Sequence, residues 1–151
     1  MLRLRRLAIM LGFPLVPSVA AGQLPSPTQE NLGAILDAGS KRMSAKEFET
    51  EIVQRVIVGP APTGGELEMM FASNGSISGA GTHPSFEANR SVPIYGAWKL
   101  DDVGRACLSM RIGGLLLPER CQHWYKLADK YYVSDSDLDR SAKVLSRTIK
   151  Q

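Results

Sequence analysis

The chain has 151 residues, with 18 Lys+Arg against 15 Asp+Glu and a formal net charge of +3. Arg3, Arg5 and Arg6 account for that whole excess, so the two signs balance from Leu7 onward. That balance argues against a nucleic-acid binder, whose signature is a clustered basic surface, and against polybasic attachment to a membrane.

Residues 1–22 have the three parts of a secretion signal. MLRLRR is a basic start, Leu7 to Val16 is an apolar run of about ten residues, and the small residues Ala20, Ala21 and Gly22 mark the expected cleavage region. A membrane-spanning helix needs about 20 apolar residues. This run is too short and is broken by Pro14 and Pro17. The expectation is an exported protein, periplasmic or secreted, with no stable membrane span once the signal is removed.

Residues 23–43 read as a linker carrying a short helix. Ser26, Pro27 and Gln29 form a helix start, Leu32, Ile35 and Leu36 share one face, and Gly39 is the terminator. Residues 44–151 read as a single antiparallel β domain. It opens with a second short helix, begun by the capping-box pattern Ser44 to Glu47 and striped by Phe48, Ile52 and Val53.

From Val56 the pattern changes to period two. Strands are expected over 56–58, 66–72, 76–81, 94–100, 106–112, 120–127, 131–134 and 143–149. Asn74-Gly75 supplies a hairpin turn. Residues 82–92 and 113–119 read as loops, the second unusually apolar at Leu115, Leu116 and Leu117. The fold class is therefore mainly β, with an α+β margin: an antiparallel meander forming a curled sheet or small barrel, preceded by one or two short helices. Cys107 falls in the opposite phase from Leu108 and Met110, and Cys121 falls with His123 and Tyr125. Which sheet face is interior stays open at this level.

Cys107 and Cys121 are the only cysteines. In an exported chain they most simply form one disulfide, which on the chain-entropy model stabilises by roughly 3 kcal/mol for a loop of this length. Their spacing is not that of a C-x-x-C redox motif.

Little else carries chemistry. His83 and His123 are the only histidines and show no metal-ligand spacing. Asp135, Asp137 and Asp139 begin like a calcium loop, but the sixth and twelfth positions are Arg140 and Ser146 instead of Gly and Glu. There is neither a G-x-S-x-G elbow nor a phosphate loop. No catalytic, cofactor-binding or metal-binding residue is assigned. The residues placed as ligand or partner contacts are His83, Arg90, Trp98, Arg111, Leu116 and His123.

The order of Asn74-Gly75, Gly96-Ala97-Trp98, Cys107, Cys121 with Trp124-Tyr125, and Tyr131-Tyr132 resembles a group of small exported proteobacterial domains of uncharacterised role. The resemblance spans about two-thirds of the chain. It implies a compact, calycin-like β domain with a disulfide, and it brings no activity or catalytic residues. The loops at 82–92 and 113–119 are longer than that pattern, and Ala128-Asp129-Lys130-Tyr131 replaces its G-D-x-Y turn.

The functional expectation is a non-enzymatic accessory protein that binds a small apolar ligand, an envelope component or a protein partner. One alternative is an inhibitor of a secreted or host enzyme such as a lysozyme. Another is a hydrolase or lyase using His83 or His123 with Glu87 or Asp129.

Overall fold

The structure is a computed structural model that describes residues 30–87 and 90–151. The expected secretion signal and the Ser26 helix start lie outside them. The first helix, α1 (Leu32–Asp37), is capped by Asn31, whose side chain accepts from the Ala34 N–H at 2.9 Å. It ends as the sequence suggests. Gly39, at φ +93°, donates to Leu36 O while Ser40 donates to Ile35 O, a pair of bonds that satisfies two otherwise orphaned carbonyls. A two-residue strand, β1 (Lys41–Arg42), follows; the sequence gives no sign of so short an element. The second helix, α2 (Ala45–Glu51), has the expected capping box. Ser44 Oγ accepts from the Glu47 N–H, and the Glu47 carboxylate accepts from the Ser44 N–H.

The rest is strand: β2 (Val56–Pro60), β3 (Glu66–Phe71), β4 (Ser76–Gly81), β5 (Val92–Leu100), β6 (Ala106–Ile112), β7 (Leu115–Leu116), β8 (Arg120–Leu127), β9 (Lys130–Ser134) and β10 (Leu145–Ile149). Strands β2 to β6 pair in chain order, β8 pairs with β9, and β9 with β10. Two further pairings, β10 with β2 and β6 with β8, close eight antiparallel strands into a barrel. Strand β1 is an addition on the edge of β8, and β7 folds back on the end of β6. The segment 113–119, expected as a loop, therefore contains a short strand. The last strand begins at Leu145 instead of Lys143, because Lys143 bridges Asn31 and does not pair with β9.

The period-two pattern now acquires an inside. Leu67, Met69 and Phe71 of β3, Ile94 and Trp98 of β5, and Leu108, Met110 and Ile112 of β6 share the interior with Trp124 of β8. Helix α2 stops one end of the barrel. Its Phe48 and Ile52 are fully or nearly fully buried, and the Phe48 ring meets Phe71, Trp98 and Trp124 at centroid distances of 5.3–5.5 Å. Burying each such side chain contributes about 1.5–3 kcal/mol by transfer from water.

Cys107 and Cys121 point outward. They stand opposite each other in the three-pair seam between β6 and β8, and a disulfide joins them there. His123 and Tyr125, also on the outer face of β8, are buried nonetheless. From Glu30 onward the stretch expected as a linker forms an outer layer, in which Leu32 and Ile35 pack with Val144 on Tyr125 and Tyr132. The β9–β10 loop completes that layer. Asp137 binds Arg42 at 2.8 Å, Asp135 binds Arg120, and Arg140 binds Asp37 at 2.6 Å. The three aspartates of the SDSDLD run are thus separate loop anchors, Asp139 accepting from its neighbour Ser141.

Candidate functional site

Among the described residues, no helix stops the end of the barrel away from α2. Three segments meet there: residues 61–65, 82–87 and 113–119. The ring of Phe86 lies against Gly113, and Pro84 lies against Gly64. Leu117 donates its N–H to Met110 O, which folds the third loop inward. Beneath these loops is a cavity of about 330 Å³. Its walls are the inward side chains of Leu67, Met69, Ile94, Leu108, Met110 and Ile112, and its rim carries Ala61, Thr63, Leu117 and Pro118. The volume lies at the small end of the range for ligand pockets, and the lining has their usual character, a mostly apolar wall with a few polar groups.

Besides Thr63 at the rim, three polar side chains face this space: Arg120, Gln122 and Arg147. Arg120 is partly exposed at the rim and ion-pairs with Asp135. Gln122 is buried and donates to the same carboxylate at 3.1 Å. Arg147 differs from both. It is 2% exposed and takes part in no ion pair among the described residues. Its Nη1 donates to the carbonyls of Pro60 and Ser146, each at 2.8 Å, and its Nε has no hydrogen-bond partner. Burial alone pushes the guanidinium down to about 10, so it remains a cation at neutral pH. A Cβ at position 59 would fall 3.0 Å from Nη1 and collide with Ser146 O. A glycine is therefore needed where the guanidinium lies against β2.

Sequence reasoning did not single out Arg147, although a signal for it exists. In Leu145-Ser146-Arg147-Thr148-Ile149 the arginine falls in phase with the two apolar residues, so an inward-facing strand carries it into the barrel.

The six residues expected as ligand or partner contacts are distributed over the molecule. His83 lies in the 82–87 segment at the mouth, and Arg90 lies two residues before β5. His83 Nδ1 accepts from the Ser85 N–H at 3.1 Å, and Arg90 is exposed. Trp98 is in the stoppered end, where its indole N–H donates to Ala72 O at 2.9 Å. Arg111 and Leu116 stand opposite each other on the outside, beside Tyr95 of β5; Leu116 and Tyr95 are exposed. His123 is buried under the outer layer, with Nε2 3.7 Å from Asp137 Oδ1 and Nδ1 unpartnered. Its carboxylate neighbour is Asp137. Asp129 lies in the β8–β9 turn, at the end of the barrel where α2 sits.

A second polar cluster joins α2 to the barrel. Glu51 Oε2 accepts from Lys126 Nζ at 2.6 Å and from the Tyr131 hydroxyl at 2.7 Å. These hydrogen bonds, Lys126 first, hold the Glu51 carboxyl below its usual value. Among the described residues, the one grouping with metal-ligand proximity is Asp101 with Cys107 and Cys121, whose sulfurs are already committed to the disulfide.

No family model, curated protein or solved structure matches this chain.

Proposed function

We propose that this protein is a non-enzymatic binding domain that takes a small, largely apolar ligand into the open end of its barrel. The observation that carries this reading is the asymmetry of the interior. Aromatic side chains fill the end under α2, whereas the other end keeps a cavity of about 330 Å³ behind three loops. Close-packed interiors leave few voids larger than a water molecule, so an apolar space of this size is itself informative. Among the described residues its lining offers no nucleophile–base pair, which favours binding over catalysis. An oxidising compartment, periplasmic or extracellular, suits the disulfide. The calycin-like resemblance fits the same reading, since such barrels suit ligands held in the mouth.

The test is titration with the neutral fluorophore N-phenyl-1-naphthylamine. It should bind with enhanced emission, and Leu108→Trp, which fills the cavity, should abolish the effect. Absence of binding by the unaltered protein would overturn this reading.

The exposed row of Tyr95, Arg111 and Leu116 supports a second reading, in which the outer face of β5–β7 receives a protein partner, including a secreted enzyme that the domain inhibits. An inhibition assay with lysozymes and extracellular proteases checks it. Leu116→Asp should relieve any inhibition found without affecting fluorophore binding.

A further inference from the structure

We propose that the ligand of this cavity is a single-chain carboxylate, its head group paired with Arg147 and its chain laid on the apolar wall. This inference rests on the reading of the cavity as a binding site, and it adds the chemical class.

The argument begins with charge. A buried guanidinium without a counter-ion is costly, and buried charges are normally paired. Among the described residues, Arg147 has two carbonyl acceptors but no anion, and its Nε has no partner. The two carbonyl bonds fix Nη1, and through it the plane of the guanidinium, against β2 and the Pro60 corner. A guanidinium edge matches the two oxygens of a carboxylate, and Arg147 lines the cavity, so a ligand of that kind supplies the missing counter-charge. The other carboxylate near the cavity, Asp135, is committed to Arg120 and Gln122.

The rest of the ligand follows from the walls. Leu67, Met69, Ile94, Leu108 and Met110 offer no hydrogen-bonding side chain. A cavity at the lower end of the ligand-pocket range suits one acyl chain better than two. A purely structural Arg147 would fasten the Pro60 corner to β10 equally well, but it would need only the Nη1 bonds and would confer no preference for an anion.

Calorimetric titration of the full domain with laurate, dodecanol and dodecylamine separates these cases. Laurate should bind roughly tenfold to hundredfold tighter than dodecanol, the range a charge-assisted hydrogen bond supplies. Dodecylamine should bind more weakly than dodecanol. Arg147→Gln should bring laurate down to the level of dodecanol while N-phenyl-1-naphthylamine still binds, and Arg147→Lys should restore part of the preference. If the unaltered protein binds the fluorophore but does not prefer laurate to dodecanol, the carboxylate proposal fails and the cavity reading stands. If it binds neither amphiphile nor fluorophore, both fail. The comparison on the unaltered protein decides the matter even if Arg147→Gln does not fold.

Discussion

Phe48 of α2 and Trp124 of β8 meet edge to face with ring centroids 5.3 Å apart, and this contact anchors the stopper of the barrel. Phe48 also touches Phe71 and Trp98, so it sits at the centre of a four-ring cluster. Phe48→Ala should cost about 3–5 kcal/mol, the usual range for removing a buried ring. Denaturant unfolding gives the loss, and near-ultraviolet circular dichroism should show weakened tryptophan bands in the variant's folded state. A loss below 1 kcal/mol would mean that α2 does not seal the barrel.

Gly59→Ala tests the fit of Arg147 against β2. The added methyl would crowd Nη1 and Ser146 O in a closed barrel wall. The expected destabilisation is about 1–3 kcal/mol, the range for overpacking. Gly114→Ala is the comparison. That position has open space around it, so its cost should come from its positive φ alone and be smaller.

The disulfide occupies the middle of the three-pair seam that closes the barrel. Replacing both cysteines by serine should lower stability by about 2–4 kcal/mol. The loss should be local as well as global. Amide hydrogen exchange should accelerate first at residues 106–108 and 120–122, ahead of the β3–β4 hairpin. Uniform acceleration would show that the seam is not a separate weak point.

Two groups set opposing limits with alkali and acid. Burial and the hydrogen bond to Glu51 push the Tyr131 hydroxyl up to about 12, against an unfolded value of 10. That stabilisation is present below pH 10 and is lost as pH rises through about 12. Glu51, held below its unfolded value of 4.5, contributes stability above that pH and loses it as pH falls through its folded value. Tyr131→Phe should flatten the alkaline side of a stability–pH curve measured by urea midpoints. It should also raise the Glu51 titration point, as followed by carboxyl carbon NMR.

His123 predicts a further acid dependence. Burial, then the nearby Arg42, lowers its folded value below 6.5 despite Asp137 at 3.7 Å. Below pH 6.5 the unfolded chain takes up this proton more readily than the folded one, so stability falls with pH until the folded value is passed. His123→Gln should remove that slope. An imidazole NMR titration with a midpoint at or above 6.5 would refute the sign.

Much of the barrel was legible in the chain because its strands alternate cleanly, as in Glu66–Phe71 and Ala106–Ile112, and because Ser44 to Glu47 and Asn74-Gly75 are local signals with local causes. The interior face was not legible. Both faces of β8 are buried, Trp124 by the barrel and Tyr125 by α1, so alternation there separates two cores instead of core from solvent. The same ambiguity concealed Arg147. Its inward position follows from the phase of β10, yet an arginine is normally assigned to the exposed face, and only closure of the sheet brings it to a cavity. The β6–β8 seam is likewise invisible locally, because the two strands are separated by β7 and its flanking loops.

Where each strand finds its partner also bears on how the chain reaches this shape. Arg42 pairs with Tyr125, Asn31 with Lys143, and Val58 with Thr148. A chain emerging amino end first can form the β2–β6 meander early, but α1, β1 and the free edge of β2 must wait for the last thirty or so residues. Long-range pairing of this kind slows folding. The open β2 edge and the still uncovered Leu32 and Ile35 face of α1 in such an intermediate are the surfaces a holding chaperone would have to shield.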